Sequence, residues 1–116
     1  MERTLVLGIL NVTPDSFADG GKFLNPKDAI DQARKLMAEG ADIIDVGGES
    51  TRPGAARVTE EEELKRVIPV ITEIVKDGAV VSIDTTRSEV AKQAIVAGAK
   101  YVNDVSADWP MKRWLN

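Results

Sequence analysis

Cysteine and histidine are both absent from the 116-residue sequence. The first absence excludes a disulfide framework, a thiolate metal site and a thiol nucleophile. The second removes the commonest general base near neutral pH and the commonest metal ligand. Chemistry is therefore left to carboxylates, amides, hydroxyls, Lys and Arg. Basic residues are in deficit too: 15 Lys and Arg stand against 19 Asp and Glu, a formal net charge of -4. That balance argues against the basic face of a nucleic-acid binder. No apolar run approaches the length of a membrane span. The N-terminal apolar run is too short for the core of a signal peptide and lacks a small-residue cleavage site. The expectation is a soluble, cytoplasmic chain with neither nucleic acid nor membrane as partner. Its length suits one domain at most and is modest for a self-sufficient core.

What is present follows one repeated grammar. "TLVLGIL", Thr4 to Leu10, is apolar and β-prone, then breaks into "NVTPDSFADGG". Asn25 and Pro26 suit the N-cap and first position of a helix whose apolar residues are Ile30, Ala33, Leu36 and Met37. Gly40 suits its end. A short strand, Ile43 to Val46, runs into a second polar loop, "GGESTRPG". Thr59 and Glu62 have capping-box spacing and open a second helix. Its apolar face is Leu64, Val67, Ile68, Ile71, Ile74 and Val75, and Pro69 inside it predicts a kink. Glu60 to Glu63 read as first-turn acids that favour the helix dipole and face solvent. "AVVSID", Ala79 to Asp84, is a third strand. Thr86 and Glu89 give a second capping-box spacing before a helix that closes at Gly98, and "KYVNDVS" is a fourth strand. The order βαβαβαβ, with near-continuous apolar strands, predicts an α/β fold with a parallel sheet covered by helices.

The polar residues fall into register on that scheme. Asn11 follows the first strand, Asp45 and Gly47-Gly48-Glu49 the second, Asp84 ends the third, and Asn103-Asp104 sit in the fourth. Parallel α/β folds bind ligands at the carboxyl ends of their strands. A single Asp or Asn at a strand end is commonly a cap or an Asx turn. Asp84 is the exception, because Thr86 or Ser88 is better placed to cap the next helix.

The blocks "GILNVTPDSFADGG", "GADIIDVGGESTRPGA", "VSIDTTRSEVAKQAI" and "YVNDVSA" together resemble the dihydropteroate synthase family of pterin-binding barrels, over residues 5 to 107. The resemblance implies a TIM-type (β/α)₈ barrel, of which about four βα units are present here. It implies condensation of 6-hydroxymethyl-7,8-dihydropterin diphosphate with p-aminobenzoate, releasing diphosphate, in folate biosynthesis. It assigns Asn11 to a Mg²⁺–diphosphate site. Thr13 to Phe17 become a closing loop, in which Asp15 supports the developing pterin cation and Phe17 packs on the aminobenzoate. Ser50 to Pro53 become a second such loop, with Thr51 and Arg52 near the diphosphate and Pro53 near the aminobenzoate. Asp84 and Asn103 become hydrogen-bonding partners of the pterin ring. Sulfonamides inhibit the family.

These implied roles have physical sense. A carboxylate such as Asp84 can accept a pair of adjacent N–H donors, and Asn103 offers one donor and one acceptor. Loss of diphosphate leaves a cation that calls for an anion and a dry site. A barrel of this type needs about 250 residues, so the expectation is its N-terminal half, residues 1–107, with a divergent tail at 108–116. Alone it should turn over weakly or not at all. Half a barrel should leave its first and fourth strand edges unpaired and apolar side chains exposed, which predicts a homo-oligomer. A non-catalytic half-barrel module that binds a pterin or oligomerises is the alternative, and a methyltetrahydrofolate methyltransferase a third.

Overall fold

The first strand shows how the sheet is oriented. β1 (Leu7–Val12) alternates strictly: Gly8, Leu10 and Val12 are buried, whereas Leu7 and Ile9 are exposed and Asn11 is half-buried. Period-two alternation places one set against a core and the other on an open face. The structure, a computed structural model, describes residues 5–12, 23–48, 58–103 and 112–113. β2 (Phe23–Leu24) is followed by α1 (Pro26–Ala38), β3 (Ile43–Gly47), α2 (Glu60–Lys76), β4 (Val81–Asp84), α3 (Ser88–Ala97), β5 (Tyr101–Asn103) and β6 (Lys112–Arg113). The sheet runs β2-β1-β3-β4-β5-β6.

The expected α/β grammar is thus present: β1, β3, β4 and β5 are parallel neighbours joined by helical crossovers. One register row, Leu10–Val46–Ile83–Val102, is apolar and buried from end to end. Onto it pack Ala29 and Ala33 of α1, Val67, Val70, Ile71 and Ile74 of α2, and Val90, Ala91 and Ala94 of α3. Such side chains contribute roughly 1.5–3 kcal/mol each when fully buried as Val, Leu or Ile. The opposite face carries Leu5, Leu7 and Ile9, all exposed, with Ile9 at 60%.

Local signals account for most of the helix boundaries. Asn25 caps α1 by accepting from the Asp28 backbone N–H at 2.9 Å, with Pro26 next in line. Thr59 caps α2 by accepting from the Glu62 backbone N–H at 3.1 Å. α2 runs through Pro69 to Lys76. Three expectations are corrected. The start of α3 is not capped by Thr86: Arg87 holds the cap position and makes no side-chain cap bond. Instead Thr85, buried beside it, accepts the Arg87 backbone N–H at 3.1 Å. That local turn occupies the residues a Thr86 cap would use.

The second correction concerns the sheet edges, expected to be bare. β2 pairs with β1 in parallel and β6 pairs with β5 in antiparallel fashion. An edge presents free N–H and C=O groups, and short extended segments satisfy some of them.

Glu63 also departs from its reading as a solvent-facing acid. It is 1% exposed, and its Oε1 accepts from Arg87 Nη1 at 2.6 Å. Helix periodicity explains this: Glu63 precedes Val67, Val70, Ile71 and Ile74 on the buried face. Arg87 reaches it from the start of α3, tying α2 to α3. Arg87→Met would leave the buried carboxylate without its cation and should cost about 3–5 kcal/mol. The double variant Glu63→Met/Arg87→Met should recover most of that loss. Thermal denaturation of the three proteins checks it, and equal melting of single and double variants would count against the pair.

Candidate functional site

The open face of the sheet carries a second row, one step further along the strands. Asn11 pairs with Gly47, Gly47 with Asp84, and Asp84 with Asn103. All four lie at or next to the carboxyl ends of their strands. Gly47 is the low point of the row: a Cβ built there would meet Asp84 Cβ and Oδ2, each at 3.4 Å. The Asp84 carboxylate therefore leans over the glycine. Asn11, Asp84 and Asn103 are each half-buried, open enough for a ligand to reach.

Behind this row stands another on the same face: Ile9, Asp45, Ser82 and Tyr101. Asp45 is 4% exposed and Ser82 is fully buried. The Ser82 hydroxyl donates to Asp45 Oδ1, and Asn103 Nδ2 donates to Asp45 Oδ2 at 3.4 Å. Burial raises the Asp45 carboxyl above the ordinary carboxylate range, and the bonds from Ser82 and Asn103 pull it partly back. The carboxyl ends of the strands thus present Asp84 in a half-exposed position and Asp45 in a buried one.

The flanks of residues 49–57 are fixed by arginines from two helices. Arg66 Nη1 donates to the Gly48 carbonyl at 3.0 Å, and Arg87 Nη2 donates to the Val58 carbonyl at 2.6 Å. Gly48 is required by its packing, since an added Cβ would lie 2.9 Å from Val67 Cγ1 and 3.3 Å from Arg66 Cβ. The strand can therefore turn off the sheet hard against α2. Two grooves on the outer side of α3, one lined by Ala91, Ile95 and Val96, the other by Ile68, Thr72 and Val96, lie away from these rows.

Of the residues expected in the site, the structure brings Asn11, Asp84 and Asn103 into one row. Thr13, Asp15, Phe17, Ser50, Thr51, Arg52 and Pro53 lie outside the described residues. Asp45 and Ser82 were not singled out as site residues. Their signal was a polar residue inside an apolar strand, two positions before Gly47 and Asp84, hence on the same face. Among the described residues no group of three acidic side chains gathers to hold a metal ion. No described helix is long and apolar enough to cross a membrane.

A family model described as "Pterin binding enzyme" matches residues 7–112. The chain belongs to the pterin binding enzymes. Within that family it is 55% identical to the dihydropteroate synthase of Bacillus subtilis, over 90% of this chain and 37% of that protein. A Xanthomonas albilineans dihydropteroate synthase solved with 4-aminobenzoic acid superposes with a TM-score of 0.81 at 51% identity, covering 90% of this chain and 39% of that one. The same organism's dihydropteroate synthase in complex with 7,8-dihydropteroate gives 0.75 at 45% identity, covering 90% and 38%. The resemblance read from the sequence blocks holds, and so does the fold class: the sheet and its helices correspond to part of a dihydropteroate synthase barrel. This pterin binding enzyme chain spans well under half the length of the curated relatives it matches.

The raised Asp45 carboxyl has a consequence for stability. A carboxyl whose folded pKa is raised penalises the fold once pH exceeds that pKa, and the penalty vanishes below the unfolded value. Asp45→Asn removes the charge and keeps the shape. At pH 7 it should melt higher than the parent chain. The gap should close as pH falls through the carboxylate range. Circular dichroism melts at pH 7 and pH 4 test it, and a variant less stable at both would contradict this account.

Proposed function

We propose that the chain supplies the pterin-recognising part of a dihydropteroate synthase. In that reaction the amine of p-aminobenzoate attacks the 6-methylene of 6-hydroxymethyl-7,8-dihydropterin diphosphate. A C–N bond forms, the C–O bond to diphosphate breaks, and the amine gives up a proton. The observation that carries this reading is the Asn11–Gly47–Asp84–Asn103 row, polar at both ends and low in the middle. A flat, edge-polar ring system suits such a floor. Asp84 can accept two adjacent N–H groups of an amino-pyrimidine edge. The relatives' complexes with 4-aminobenzoic acid and 7,8-dihydropteroate support the substrate classes.

By resemblance, Asp15 would stand near the cation that forms as diphosphate leaves, and Phe17 and Pro53 near the aminobenzoate. Thr51 and Arg52 would face the diphosphate, with Ser50 in the same loop and Thr13 in the first. Asn11 fits a magnesium ion carried by the diphosphate: it offers one hard oxygen, and magnesium commonly takes one or two protein ligands beside phosphate and water. The ion would neutralise the leaving group's charge. Recognition of a pterin without turnover is the second reading, since the Asn11–Gly47–Asp84–Asn103 row can hold a ring edge without supplying a step of the reaction. Assay of diphosphate release separates the two.

Titration calorimetry of the 116-residue chain with the pterin diphosphate measures the site directly. Asp84→Asn should weaken binding at least about tenfold, as expected for loss of a charge-assisted pair. Its melting temperature should move by less than about 4 °C. Unchanged affinity with a lower melting point would make Asp84 a structural residue.

The proposal extends to assembly and location. Exposed Leu5, Leu7 and Ile9 form an apolar column on the open face, a surface that association would cover. Chains should therefore run as dimers or larger species, and with no described membrane-crossing helix the cytoplasm is the proposed compartment. Light scattering behind a sizing column decides the assembly state. A well-folded monomer at micromolar concentration would overturn that part.

A further inference from the structure

We infer that Asp45 is a positioning residue: it fixes the orientation of the Asn103 carboxamide, with the NH₂ on the Asp45 side and the carbonyl oxygen on the other, toward whatever occupies the row. An asparagine amide can be reversed at little steric cost, because its oxygen and nitrogen are nearly the same size. Its orientation is set by what it faces. Here it faces a carboxylate oxygen. Ionised Asp45 can only accept, its Oδ1 already takes the Ser82 hydroxyl, and its Oδ2 takes Asn103 Nδ2 at 3.4 Å. Reversing the amide would set an oxygen against that carboxylate in a buried place, where an unpaired acceptor is costly. Among the described residues no Lys or Arg pairs with Asp45, so the neutral donors Ser82 and Asn103 are what satisfy it.

The consequence is selectivity. With the carbonyl of Asn103 turned away from Asp45, Asn103 and its register neighbour Asp84 both present acceptors. That end of the row then reads N–H donors on a ligand edge and rejects an edge where a carbonyl replaces an amino group. Asp45 touches no ligand in this scheme and acts through Asn103. The selectivity arm rests on the pterin reading above; the orientation itself does not.

Two measurements test it separately. In the ligand-free, ¹⁵N-labelled chain, the Asn103 side-chain NH₂ should show nuclear Overhauser contacts to the Asp45 β-protons, and its resonances should move in Asp45→Asn. An Asn103 amide without those contacts, or unmoved by Asp45→Asn, overturns the proposal whatever the chain binds. In the second arm, a 2-amino-4-oxopteridine and its 2,4-dioxo counterpart are titrated into both proteins. The wild type should prefer the amino compound by at least about tenfold. Asp45→Asn, free to turn its own NH₂ toward Asn103, should reduce that preference about threefold or more while still binding. An unchanged ratio overturns the selectivity. If the wild type binds neither compound, the pterin reading fails and the resonance measurement still decides the orientation. Should Asp45→Asn not fold, Ser82→Ala removes one of the carboxylate's two donors and should shift the Asn103 resonances in the same way; no shift overturns the proposal.

Discussion

The parallel register across β1, β3, β4 and β5 is the constraint on which the other features rest. A strand's side chains alternate between faces, so a slip of one residue in any of the four would exchange its two sets. Leu10, Val46, Ile83 and Val102 would then leave the helices, and Asn11, Gly47, Asp84 and Asn103 would be driven into them. The apolar row fixes the register because burying it is favourable. The polar row has no comparable driving force of its own and is carried into place by its neighbour one residue away. Site and core are thus two faces of a single alignment.

Two buried acids show how differently the fold treats charge. Glu63 meets a guanidinium and binds two helices together. Asp45 meets a hydroxyl and an amide, which satisfy its oxygens without cancelling its charge. A fold selected for stability alone has a simple alternative at Asp45, an uncharged residue of the same shape. The retained carboxylate is understandable where the positions of its partners matter for binding, since natural proteins break local rules at functional sites.

Most of this was legible in the chain. The four central parallel strands, the helix spans, the caps at Asn25 and Thr59, and the common face of Asn11, Asp84 and Asn103 all follow from periodicity and from loop chemistry at the strand ends, whereas the edge strands β2 and β6 do not. Three further features were not legible. Glu63 reads as a dipole-favouring surface acid, because its burial depends on an arginine 24 residues away. The start of α3 was misjudged because a threonine one position earlier offers a competing turn. Asp45 stands among the strand-end polar residues without a role and Ser82 goes unnamed, because cross-strand partners are invisible until the register is known. The misses at Glu63, Asp45 and Ser82 are contacts between elements, whereas the one at α3 is a local turn that spacing alone does not distinguish from a cap.

The two-residue strand β6 carries a last consequence. It lies antiparallel along Tyr101 and Val102, on the edge of β5 where a closed barrel would place its next parallel strand. The same backbone groups cannot serve both neighbours at once. Any strand that extends the sheet on that side must first peel β6 away, so the edge is guarded by a weak internal competitor.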